Sequence, residues 1–223
     1  MDYKRVSLFA GHYGSGKTNI AVNWAFKLKE LGNSVTVADL DIVNPYFRTK
    51  DSERDFEKKG IKLISSQFAS SNVDLPALPQ ELYSVVDDKS SVAVLDVGGD
   101  ERGALALGRY TPAILEENDY EMFFVVNWYR PCTRDVEATL EVKDEIEAAC
   151  GIKFTAIVNN SNLGEETTAQ DVLNSMEYVE ELSKVTGLKI KMTTVMNSVY
   201  NELEGKIDNL FPMELQEKII SNK

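Results

Sequence analysis

The densest chemistry in the sequence lies in Gly11-His12-Tyr13-Gly14-Ser15-Gly16-Lys17-Thr18. The spacing is G-x-x-x-x-G-K-[ST], the Walker A pattern of a phosphate-cradling loop. Glycines let the backbone curl until successive N–H groups point inward at phosphate oxygens. A helix that follows adds the positive end of its dipole. Lys17 is the cation for the β- and γ-phosphates, and the Thr18 hydroxyl is a magnesium ligand. Asn19 enters the same helix and completes the predicted nucleotide contacts of residues 11–19.

Carboxylates supply the rest of such a site. Ser91-Val-Ala-Val-Leu-Asp96 is an apolar run ending in an acid, the Walker B arrangement. Asp96 is therefore predicted to hold magnesium, and Gly98-Gly99 completes D-x-x-G, a loop suited to sensing the terminal phosphate through a backbone N–H. Asp39-Leu40-Asp41 closes another apolar run and leads into Asn44, Pro45 and Arg48. Two carboxylates beside phosphates repel them unless a metal or an attacking water lies between. Asp41 is thus a candidate both as a metal ligand and to orient that water, the catalytic partner of Lys17. The stretch from Asn44 to Lys50 is a candidate switch segment.

A third cluster, Asn159-Asn160-Ser161-Asn162, follows an apolar run at the place where many P-loop proteins read the base. Guanine readers use N-K-x-D there, with an ionised carboxylate accepting from guanine's N1–H and amino group. This chain has Asn162 in that place and no lysine at Asn160. Asn159 and Asn160 are counted as nucleotide contacts, and ATP is expected over GTP.

The elements that must position these groups are legible as alternating patterns. Short apolar, β-branched runs predict strands at Val6 to Ala10, Ser34 to Ala38, Ile61 to Ser65, Ser91 to Leu95, Met122 to Val126, Phe154 to Val158 and Leu188 to Thr193. Helical periodicity marks Thr18 to Leu31, Pro79 to Val86, Thr133 to Ala149 and Thr168 to Thr186. The tail from Tyr200 to Lys223 reads as helical in pieces. This alternation predicts a three-layer α/β fold, a mostly parallel central sheet flanked by helices. Ligands then bind at the carboxyl ends of the strands, where the glycine loop, Asp39, Asp41, Asp96, Asn127 and Asn159 gather. No repeat or linker interrupts the chain, so residues 1–223 are read as one nucleotide-binding domain.

Bulk properties narrow the partners. The net charge is −12 over 223 residues, which excludes a broadly basic nucleic-acid-binding face. Cys132 and Cys150 are far apart and expected simply to pack, in a reducing, cytoplasmic setting. No signal peptide or membrane-length apolar stretch is present, and the tail has too few basic residues for membrane binding.

Together these residues resemble the MinD/ParA-like group of P-loop ATPases, the CobQ/CobB/MinD/ParA nucleotide-binding domain. The resemblance rests on the Walker A loop, Asp41 with its D-x-D strand end and Pro45, Asp96 with D-x-x-G, and Asn159 after its strand. It implies an ATP-dependent homodimer, a protein partner, and slow magnesium-dependent hydrolysis used as a switch. The chain departs from the family at His12, where a signature lysine crosses to the other subunit's phosphates, and at Tyr13, where a second glycine is usual. Arg48 and Arg130 are candidate replacement cations. The same fold also carries enzymes of the dethiobiotin synthetase and cobyrinate amidase kind, which activate a carboxylate with ATP, and that reading stands beside the switch.

Overall fold

A computed structural model of the chain describes residues 2–41, 49–65, 80–99 and 101–216. Asn44, Pro45, Arg48, Pro79, Ile219 and Ile220 lie outside the described residues. The strands are β1 (Val6–Ala10), β2 (Val35–Asp39), β3 (Lys62–Ser65), β4 (Val92–Asp96), β5 (Tyr120–Val126), β6 (Ala156–Asn159), β7 (Lys189–Met196) and β8 (Leu210–Met213). They form a sheet in the order β3-β2-β4-β1-β5-β6-β7-β8, with every pairing parallel. The helices are α1 (Lys17–Glu30), α2 (Glu53–Lys59), α3 (Ser84–Asp87), α4 (Glu101–Gly108), α5 (Thr111–Glu117), α6 (Val136–Cys150), α7 (Ala169–Asn174), α8 (Met176–Thr186) and α9 (Asn197–Leu203).

Alternation along the strands divides the core into two layers. Leu8, Ala10, Met122, Phe124 and Val126 face one cluster, which also takes Leu107, Ile114, Val142, Ile146, Val179 and Leu182 from α4, α5, α6 and α8. Phe9, Val37, Phe123, Val125 and Val158 face the other, with Ile20, Trp24 and Leu28 of α1 and Phe56 of α2. Trp24 is the anchor of that second layer. Its ring packs on Phe9, Phe123 and Phe211, and its indole N–H donates to the Ser7 hydroxyl at 3.0 Å. The buried indole nitrogen is thereby satisfied, as a buried polar group must be.

Three expectations change. The tail is not all helical, because Leu210–Met213 is an edge strand on β7. Pro212 cannot donate to a ladder, and an edge is where a strand tolerates that. The long helix expected from Thr168 is two, α7 and α8, which meet at Ser175. The Ser175 hydroxyl donates back to the Val172 carbonyl and accepts from the Asn159 amide. Finally, Cys150 is buried as expected, but Cys132 is exposed. Helices α4 and α5 lie between the expected elements, where the sequence reading assigns none. Among the described residues no helix is long and apolar enough to cross a membrane.

Phe211 is buried on Trp24 only if the tail returns to the sheet as β8. Phe211→Ala should then lower stability by about 3–5 kcal/mol, as for other buried aromatic truncations. Urea denaturation of both proteins measures it, and a change within about 0.5 kcal/mol would place the tail in solvent.

Candidate functional site

The glycine loop occupies the turn between β1 and α1, at the centre of the sheet where β1 separates β4 from β5. That is the switch point at which parallel α/β sheets open a crevice. Gly16 is left-handed, with φ 88°, and a Cβ there would lie 2.2 Å from the Asn160 Nδ2. Only glycine meets both demands. The Lys17 ammonium folds back beside the His12 carbonyl at 3.4 Å, and its side chain is almost wholly buried. His12 is half-buried, its Nδ1 3.0 Å from the Tyr13 carbonyl, and Tyr13 is exposed. Arg130, on the loop after β5, donates from Nε to the Gly14 carbonyl at 3.1 Å. Of the two cations suggested as substitutes for a lysine at position 12, Arg130 therefore stands at the lip of the loop.

The acidic residues converge beside it. Asp39 and Asp96 end neighbouring strands at the same level of the sheet, and the Asp41 N–H donates to Asp39 Oδ1 at 3.0 Å. The loop after β4 lies directly against the glycine loop. A Cβ on Gly99 would come within 2.8 Å of both the Lys17 Nζ and the Tyr13 backbone nitrogen. D-x-x-G and the glycine loop are thus in contact, as a shared phosphate site requires.

Asp96 is fully buried. Burial pushes its carboxyl up to about 6, against the pull of the Lys17 ammonium and the Thr18 and Thr49 hydroxyls, while the Asp41 charge adds to the rise. Its Oδ2 accepts from the Thr49 hydroxyl at 2.9 Å, and its Oδ1 has no hydrogen-bond partner among the described residues. A buried oxygen left without a donor is costly, and a hard cation or a water on that cation would satisfy it. No group of three or more His, Cys, Asp or Glu among the described residues is placed to hold a metal ion by itself. Magnesium fits such a sparse set, because it keeps several waters and takes one or two carboxylates plus substrate phosphates.

The asparagines are brought together differently from the expectation. Asn159 is fully buried; its amide donates to the Ser175 hydroxyl, and its oxygen accepts from Ser161. Asn160 donates to the Ser15 carbonyl at 2.6 Å and accepts from the Thr194 hydroxyl. It ties β6 and β7 to the phosphate loop. Asn162 donates to the Asn160 carbonyl and accepts from the Gly164 N–H, so its amide closes its own turn. Asn127, buried at the end of β5, receives the N–H groups of Tyr129 and Asn162. Asn19 accepts from the Gln216 N–H, and Asn23, one turn on, both donates to and accepts from the Glu214 backbone. These side chains brace the loops around the crevice. The sequence signalled polar residues at strand ends but not their partners.

No protein-family model and no curated protein sequence matches the chain. Solved structures do. The signal recognition particle receptor FtsY from Elizabethkingia anophelis is 16% identical with a TM-score of 0.56, over 86% of this chain and 59% of that one. Cell division protein FtsY from Thermotoga maritima is 17% identical with a TM-score of 0.59, over 85% and 61%. The signal recognition particle 54 kDa protein from Aeropyrum pernix K1, in complex with GDP, is 16% identical with a TM-score of 0.55, over 86% and 41%. The chain spans about three-fifths of the length of the receptor structures it matches. These neighbours are FtsY and signal recognition particle proteins, not members of the MinD/ParA group. The fold is that of the P-loop NTPases, an eight-stranded parallel sheet flanked by helices and shared with FtsY.

Proposed function

We propose that this chain binds a nucleoside triphosphate with magnesium and hydrolyses it slowly, as a switch. The observation that carries the reading is the contact of Gly99 with Lys17 and Tyr13, beside a buried Asp96 whose Oδ1 lacks a partner among the described residues. Backbone N–H groups of residues 11–18 hold the phosphates, and Lys17 neutralises their charge. Thr18 and Asp96 would hold magnesium, which supplies charge stabilisation on the transferring phosphoryl group. Asp41 orients a water and takes its proton as the water's oxygen bonds the terminal phosphorus and the bond to the leaving diphosphate oxygen breaks. His12 stands where the MinD/ParA group has lysine, and its side chain is shorter than the lysine that crosses to the other subunit, so unaided turnover is slow. Arg130, held at the Gly14 carbonyl, is the proposed substitute cation.

ATP is the proposed nucleotide. The 159–162 segment offers amides and a hydroxyl but no carboxylate for guanine's N1–H and amino group. With Asn159, Asn160 and Asn162 all engaged in bracing, the discrimination is modest. Guanine is the second reading, favoured by the fold neighbours from Elizabethkingia anophelis and Aeropyrum pernix whose structures hold GDP. Competition of ATP and GTP against a fluorescent nucleotide should show tighter ATP binding, and a clear preference for GTP reverses the assignment.

Asp41→Asn should bind ATP as the parent does but hydrolyse it about 10²–10⁴-fold more slowly, the usual contribution of a general base. Steady-state ADP release, with affinity measured on the same samples, decides the point. Parental turnover in the variant would mean that water is positioned elsewhere.

A further inference from the structure

The 3-10 turn Thr49–Ser52 overlaps the end of the candidate switch segment and enters the acidic cluster from the side. Thr49 is fully buried, and its hydroxyl donates to Asp96 Oδ2 at 2.9 Å. The other end of the turn is fixed independently. The Ser52 hydroxyl accepts from the Gln216 side-chain amide at 2.6 Å, and the Gln216 backbone N–H is held by Asn19 Oδ1 at 3.0 Å. Thr49 is therefore a preorganised donor, mounted on a turn that α1 and the segment after β8 hold in place.

We propose that Thr49 is a positioning residue for magnesium. The inference rests on the reading of Asp96 as a metal-holding group. A carboxylate turns readily about its last side-chain bond, which is broad and roughly two-fold. By taking Oδ2, Thr49 fixes that rotation and leaves Oδ1, the oxygen without a partner among the described residues, as the one available to the cation or its water. The hydroxyl also offsets part of the cost of keeping the acid charged away from solvent, since hydrogen bonds to charged groups are the stronger kind. Thr49 touches neither nucleotide nor metal in this role; it acts through Asp96.

The test separates a donor from a spacer. Thr49→Val keeps the shape and removes the hydroxyl, whereas Thr49→Ser keeps the hydroxyl. Affinity for a fluorescent ATP analogue is measured with magnesium and with EDTA for wild type and both variants, with unfolding midpoints recorded alongside. Magnesium should enhance binding to wild type. In Thr49→Val that enhancement should fall by about tenfold or more, the scale of one lost hydrogen bond to a charged group, while affinity in EDTA stays parental. Thr49→Ser should recover the enhancement. Parental enhancement in Thr49→Val, or equal loss in both variants in step with a lower midpoint, overturns the positioning role while nucleotide binding itself survives. Absence of any nucleotide binding to wild type overturns the functional reading first, and this inference with it.

Discussion

Asp96 closes β4, the strand beside β1, with no exposure to solvent, and the surrounding structure is arranged around the cost of that carboxylate. Removing an ionised acid from water costs several kcal/mol unless other groups replace the lost hydration. Here the replacements are partial. Lys17 supplies opposite charge, and Thr18 and Thr49 supply hydroxyls, yet burial and the Asp41 charge still hold the carboxyl well above the ordinary range. Among the described residues one oxygen remains without a donor. A site left short of positive charge in this way is complementary to a divalent cation carried in with a polyphosphate.

The fold supplies the proximity. β1 lies between β4 and β5, so the loop after β1 shares its neighbourhood with Asp96 on one side and the β5 loop on the other. Gly99 makes the first junction by having no side chain, and Arg130 makes the second by reaching the Gly14 carbonyl. Asn160 adds a third, from β6 to the Ser15 carbonyl, with Thr194 of β7 behind it. The phosphate loop is thus clamped from three strands. Preorganised donors of this kind do not have to be ordered when the ligand arrives.

Much of this was legible from residue order. Strands ending in Asp39 and Asp96, and the helix starting at Lys17, follow from apolar periodicity and the glycine motif, because local pattern determines both. What escaped depends on distant contacts. β8 is four residues with a proline, too short for a period, and it becomes a strand through β7 alone. The break between α7 and α8 lies at Ser175, whose hydroxyl answers the buried amide of Asn159. Thr49 falls within the candidate switch segment, but nothing in the residue order points to Asp96; that contact appears only when the turn before α2 is seen against the end of β4. The asparagines showed their polarity in the sequence but not that their amides would be engaged by neighbouring loops.

In the proposed triphosphate site, the Lys17 ammonium supplies the charge that the backbone N–H groups of the loop lack. Titration calorimetry of magnesium–ATP into wild type and Lys17→Ala addresses this role most directly, with circular dichroism to confirm that both are folded. Wild type should bind at a single site, and the variant should lose at least about tenfold in affinity, the equivalent of about 1.4 kcal/mol. A folded Lys17→Ala protein that binds as tightly as wild type would contradict the account.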